Sequence, residues 1–359
     1  MIYTYTNLQR LIVSIILVKE IYNMVDENVY YVNTKSKTGI AITNHPDAQW
    51  FPKAGFGLFM HWGISAVDGD LDISWGMMKD FKYSPRVTTP EDYFALAKKF
   101  NPHKWDPDKI LKAAKAAGMR YAVLTTRHHD SYALWPSDYG SFNTGVYMDG
   151  RDLVGEYVEA CRKNGIKVGL YYSPPDFYSG RRFMEFGGWK KPTEPTPEVM
   201  HEYIKIIAKG QIRELLTRYG KIDLIWFDGV WQELYTYEEL LELQPGIVIG
   251  RGTDSHFDSI ECTLPTEELY QNKLKGNWWE CCHELNNCWG YTSTDEWHLK
   301  SAETIIDWLK LVRGYEGNLL LNIGPDGNGK LPDLAYRRLE EIGEYIKNNP
   351  DILPEWDED

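Results

Sequence analysis

Residues 151–174 read RDLVGEYVEACRKNGIKVGLYYSP, and the fold follows from this stretch. Asp152–Asn164 reads as a helix stopped by Gly165. Val168–Tyr172 (VGLYY) reads as a short apolar strand closed by Pro174 and Pro175. Upstream, Tyr121–Thr125 (YAVLT) is a strand of the same kind. Strand, helix and strand in this order form a βαβ unit, and near-continuous apolar strands mark a parallel sheet covered on both faces.

The rhythm extends in both directions. Phe56–Met60 (FGLFM), Leu224–Phe227 (LIWF), Ile247–Ile249 and Asn318–Asn322 (NLLLN) read as further strands. Glu91–Phe100, Asp106–Ala117, a segment from Pro197 to about Tyr219, Ala302–Val312 and Asp333–Lys347 read as helices. Trp278–Glu280 is a further candidate strand end. Six or seven strands, with no glycine-rich phosphate turn, predict a (β/α)₈-like barrel rather than a doubly wound sheet. Residues 46–359 are expected to form one catalytic domain of this kind. Residues 1–45 read as an N-terminal extension, and 230–300 as an irregular segment in which one or two helices are unassigned.

Composition narrows the function. The chain has 359 residues, with 39 Lys+Arg against 52 Asp+Glu, a net charge of −13 that disfavours nucleic acid and anionic membrane surfaces as partners. Five cysteines, an odd number, speak against a disulfide framework, and Cys281, Cys282 and Cys288 fit no standard zinc spacing. Leu11–Val18 (LIVSIILV) is too short to span a membrane. Its length suits a signal core, but Lys19 and Glu20 follow where a small-residue cleavage site belongs. The chain is expected to be soluble, cytoplasmic by default, with a periplasmic or secreted setting left open.

In such a barrel the chemistry sits just past the strands. His61–Trp62, Arg127–His128–His129–Asp130, Tyr171–Tyr172–Ser173, Trp226–Phe227–Asp228 and Trp278–Trp279–Glu280 all fall there. Asp228 suits a nucleophile at a barrel mouth, and equally a turn or helix-capping aspartate. Glu280 beside two tryptophans suits a proton donor with a raised pKa, and equally an ordinary rim glutamate. Trp62, Trp75 and Trp226 offer flat faces for a sugar or for the core. His128 and His129 are adjacent, so on an extended strand their rings point to opposite faces and share one metal ion poorly. A metal hydrolase built on His61, His128 and Asp130 stays a rival, as does a barrel that binds sugar without cleaving it.

Taken together, WFPKAGFGLFMHWG (50–63), LTTRHHDSYALWPS (124–137), the 151–174 stretch, IDLIWFDG (222–229), WECC with NNCWGY (279–291) and GNLLLNIGPDGNGKLP (317–332) resemble the α-L-fucosidases of glycoside hydrolase family 29. The resemblance implies a retaining, metal-free and cofactor-free exo-hydrolase acting on fucosylated oligosaccharides or glycoconjugates. It implies Asp228 as nucleophile and Glu280 as acid/base, with Asp295 and Glu296 as alternatives. It further implies that His61, Trp62, Trp75, His128, His129, Tyr171 and Trp226 line the sugar site. Two departures stand out. Ser74–Trp75–Gly76 replaces the family's Glu-Trp-Tyr, and no C-terminal β-sandwich is expected after the last helix.

Overall fold

The structure, a computed structural model, describes residues 40–41, 43–189, 192–251, 255–293 and 298–356. Leu11–Val18, Asp295 and Glu296 lie outside them. Eight parallel strands close into a barrel in chain order. They are β1 (Phe56–Met60), β2 (Tyr121–Arg127), β3 (Lys167–Tyr172), β4 (Leu224–Phe227), β5 (Val248–Gly250), β6 (Phe257–Glu261), β7 (Trp278–Glu284) and β8 (Asn318–Asn322). β8 pairs with β1, which completes the ring.

The outer layer contains α1 (Pro107–Ala116), α2 (Leu153–Lys163), α3 (Glu198–Arg218), α4 (Tyr237–Leu243), α5 (Ala302–Gly314) and α6 (Asp333–Asn348). Local chemistry fixes where several of them start. Asp106, Asp152 and Ser301 each accept a backbone N–H of the first turn, and Thr236 with Glu239 forms a capping box. No described helix separates β5 from β6, which accounts for part of the irregularity between 230 and 300.

Two segments depart from the sequence reading. β6 (FDSIE) is a strand that the apolar pattern does not reveal. β7 begins at Trp278 and runs on to Glu284, so Trp278–Glu280 opens a strand instead of ending one.

Side chains alternate in and out along each strand. Phe59, Tyr121, Val123, Tyr171, Leu224, Trp226, Val248, Phe257, Cys282 and Leu320 form one buried cluster, the barrel interior. Leu58, Leu124, Leu170, Ile225, Ile249 and Leu321 belong to a second cluster shared with the helices. Trp50 and Phe51, just before β1, close the floor. Phe51 stacks on Phe257 at 4.4 Å, and Trp50 lies 5.6 Å from Tyr121. The Tyr121 ring in turn fills the space beside Gly57, where a Cβ would come within 2.3 Å of it. Gly57→Ala is therefore expected to lower stability by about 1–3 kcal/mol through overpacking. Denaturant unfolding checks this, and a variant as stable as the parent would contradict the floor packing.

Candidate active site

Asp228 extends the inner face of β4 by one layer past Trp226, and its backbone N–H donates to Tyr172 O at 3.0 Å. The next residue, Gly229, has φ +126°, and a Cβ there would press on Pro175 Cδ at 3.0 Å. The turn that releases Asp228 into the mouth thus needs glycine. The Asp228 carboxylate is crowded with donors. Tyr171 Oη donates to Oδ2 at 2.6 Å, and His129 Nε2 lies 3.2 Å from the same oxygen, with His128 Nε2 at 4.0 Å. Arg251 Nη1 meets Oδ1 at 3.1 Å. Burial alone would push this carboxyl up. The charge and contact of His129, together with Arg251 and His128, override it and hold Asp228 well below the ordinary carboxylate range.

The imidazoles are fixed from behind. Asn322 Oδ1 accepts from both His61 N (3.1 Å) and His61 Nδ1 (2.8 Å), while Asn322 Nδ2 donates to Trp289 O at 2.6 Å. The amide oxygen can only accept, so Nδ1 carries the proton and Nε2 keeps a free lone pair. Burial lowers the His61 pKa to about 4, so the ring is neutral. His128 Nδ1 is bonded to Ser74 Oγ, and His129 Nδ1 to Ser173 Oγ. Burial also drives His128 well below its usual value. The loop carrying Ser173 is anchored by a fully buried Arg127–Asp176 ion pair at 2.9 Å. Asp176 also accepts from Ser131 Oγ at 2.6 Å. Removing one member of such a pair would strand a buried charge.

Several expected residues come together: His61, His128, His129, Tyr171, Trp226 and Asp228 share one mouth, and Trp75 lies 5.0 Å from His129. The two adjacent histidines are not opposed. They follow the last residue of β2, so strand alternation no longer separates them, and their rings stand 4.2 Å apart. Trp62 is not at the mouth. It points outward, stacked on Trp105 at 4.4 Å with its Nε1 donating to Asp326 O. Asp130 also turns away, accepting from Tyr93 Oη and Tyr132 N, so His61, His128 and Asp130 form no ligand set. The atoms that do converge belong to His128, His129 and Asp228, and there Arg251 and Tyr171 already occupy the carboxylate.

Glu280 is the largest displacement from expectation. It sits in the body of β7, paired with Ser259 and Asn318, completely buried. Trp226 Nε1 donates to Oε1 at 2.6 Å and Tyr121 Oη to Oε2 at 2.9 Å, with Ser259 Oγ at 3.4 Å. Burial raises its pKa to about 7 against these hydrogen bonds. The carboxylate therefore braces Trp226 from below, and Trp226 stacks on Tyr171 at 5.3 Å.

Sequence reasoning missed Arg251 and Glu261. Arg251 follows β5, with its guanidinium 5.0 Å from the Trp226 ring centre. Glu261 ends β6, and its Oε1 meets Arg251 Nη1 at 2.7 Å. Asp228 and Glu261 thus share one guanidinium nitrogen, and their facing oxygens are no farther apart than 3.1 and 2.7 Å laid end to end. Burial raises the Glu261 pKa, Arg251 opposes the rise, and the Asp228 charge adds to it.

A closed parallel barrel that gathers carboxylates, imidazoles and an arginine at its C-terminal strand ends is a barrel enzyme. The model of the Alpha-L-fucosidase family matches residues 23–351, and the chain belongs to that family. The match starts inside the segment read as an extension. Tissue alpha-L-fucosidase of Bos taurus is 27% identical over 344 residues, covering 87% of this chain and 70% of that one. Alpha-L-fucosidase isoenzyme 1 from Paenibacillus thiaminolyticus superposes with a TM-score of 0.71 at 33% identity, over 85% of this chain and 76% of that one. Alpha-L-fucosidase AlfC from Lactobacillus casei, solved with its alpha-L-fucose product, gives 0.69 at 27% identity over 85% and 99%.

The Glu280 environment yields a stability prediction. Its folded pKa of about 7 lies above the unfolded value of about 4.3, so its contribution falls as pH rises between the two. Glu280→Gln keeps an acceptor for Trp226 and cannot ionise. It should be roughly 2–4 kcal/mol more stable than the parent at pH 8 and about equal at pH 4. Thermal melts at both pH values test this, and a gap independent of pH would contradict it.

Proposed function

We propose that this chain is a retaining exo-α-L-fucosidase in which Asp228 is the nucleophile and Glu261 the acid/base. The observation that carries the reading is the Arg251 nitrogen shared by these two carboxylates. That arrangement admits the ~5–5.5 Å separation of a double displacement. It also sorts the protons, leaving one carboxyl ionised and the other with a raised pKa. A barrel that only bound sugar would have no use for this asymmetry.

In the first step an Asp228 oxygen attacks the anomeric carbon as Glu261 protonates the departing glycosidic oxygen. A fucosyl ester of Asp228 forms and the leaving group departs neutral. Esterification removes the Asp228 charge, which had helped to raise the Glu261 pKa, while Arg251 remains. Glu261, now a carboxylate under a nearby cation, is better suited to take a proton from water. The water oxygen then attacks the anomeric carbon, and Asp228 is released as a carboxylate. His61 Nε2 is an acceptor aimed at a sugar hydroxyl, and Tyr171, His128 and His129 surround the nucleophile. Trp226 supplies the floor and Trp75 a wall. Glu280, closed off under Trp226, takes the role of a brace in place of the acid. Substrates are glycans or glycoconjugates ending in α-L-fucose.

Asp228→Gly should cost at least ~10³-fold in kcat/KM on an aryl fucoside without lowering the melting temperature. A 2-deoxy-2-fluoro-fucosyl donor should leave an adduct on the peptide containing Asp228, read by mass spectrometry. Label on any other carboxylate would refute the assignment. The pH profile follows from the signs. Activity needs Asp228 ionised, so the acidic limb lies far down. It also needs Glu261 protonated, so kcat/KM falls as pH rises through a value above the ordinary carboxylate one. Glu261→Gln should abolish the alkaline limb and slow poor leaving groups by ~10²–10⁴-fold. Glu280→Gln should retain the limb; the reverse pattern would return the acid role to Glu280.

A further inference from the structure

We propose that Trp75, Phe81 and Tyr83 form an aromatic shelf that receives the sugar ring leaving with the glycosidic oxygen, an inference that rests on the fucosidase reading above. The shelf starts at the chemistry. The Trp75 ring stands edge-on to His129 with centroids 5.0 Å apart, and His129 lies 3.2 Å from the Asp228 carboxylate. Phe81 lies nearly parallel to Trp75, at 5.7 Å and 25°. The Tyr83 ring stands 5.6 Å from Phe81, turned by 66°. Exposure increases along the shelf. Trp75 and Phe81 are half-buried, and Tyr83 is 77% exposed, the most exposed large apolar side chain among the described residues.

A single exposed tyrosine is ordinary on a protein surface. This one sits at the outer end of a continuous run of rings, on a backbone that is tied down on both sides. Lys79 N donates to Phe186 O at 3.3 Å and Phe81 N to Met78 O at 3.1 Å. Next to Tyr83, Ser84 is buried; its hydroxyl accepts from Asp72 N at 2.9 Å and donates to Arg86 O at 2.5 Å. The Cys288 thiol, from the loop after β7, donates to Tyr83 O at 3.6 Å. The segment is thus fastened to two other loops of the mouth while presenting a ring to water.

A terminal sugar held against Asp228 and Trp75 occupies one ring's width. Phe81 and then Tyr83 follow Trp75 by centroid steps of 5.7 and 5.6 Å and end at an exposed ring, so what is attached to that sugar is the part placed to meet them. Flat aromatic faces are matched by the C–H face of a pyranose, which gains by removing both apolar surfaces from water. The shelf therefore favours substrates whose fucose is joined to another hexopyranose over those with a leaving group too small to reach it.

The test compares kcat/KM on a fucosyl disaccharide with kcat/KM on fucosyl fluoride, whose leaving group cannot touch the shelf. In Phe81→Ala and in Tyr83→Ala the disaccharide-to-fluoride ratio should fall by about three- to tenfold. Tyr83→Phe, which keeps the ring, should restore the parental ratio. Equal losses on both substrates, or a ratio that does not move, would overturn the shelf while leaving the fucosidase reading intact. A parent chain inert towards the fluoride as well would overturn that reading, and the shelf with it.

Discussion

A negative charge sits inside this barrel, at Asp228, and most of the mouth is organised around keeping it there. An ionised carboxylate shut away from water is tolerated only when other charges and donors replace the solvent. Arg251, His129 and Tyr171 do so directly, and each is itself held by a further contact: Glu261 for Arg251, Ser173 for His129, Trp226 for Tyr171. The arginine's charge, unlike that of an imidazole, does not titrate. It lets one carboxylate stay ionised beside another that resists ionisation, the asymmetry on which the proposed double displacement rests.

Strand geometry explains how residues so distant in sequence reach one place. Leu224, Trp226 and Asp228 are alternate residues of one chain segment, as are Phe257, Ser259 and Glu261, so each inner face climbs from packing to chemistry in steps of two. The same alternation accounts for His61 and Trp62, neighbours that part company, one facing the mouth and the other Trp105. Rigidity is added by the buried Arg127–Asp176 pair, which ties the end of β2 to the loop after β3, while Ser131 in the loop after β2 donates to the same carboxylate. Positioning groups this tightly limits how far they must move during reaction.

The sequence made legible what apolar runs can mark. LIWF followed by Asp-Gly announces both β4 and the carboxylate beyond it, and most of the helices and strands are recognisable from pattern and stop signals. β6 was hidden for a physical reason. Its inner positions Ser259 and Glu261 are polar because they approach the site, which breaks the hydrophobic run, and no described helix precedes it to mark the interval. Arg251 and Glu261 went unseen with it. The place of Glu280 in its strand was misread by the opposite error. Two tryptophans suggested an ending, whereas the strand continues through cysteines and a histidine that do not read as strand. The three donors to Glu280 become visible only once its layer in the barrel is known.

The packed floor has a consequence for traffic. Trp50, Phe51, Tyr121 and Phe257 fill the end of the barrel opposite the mouth, and Trp226 and Glu280 fill the level above them. A chamber plugged at its base has a single door. Under the double displacement proposed above, the leaving group and the water that replaces it use that one door in turn.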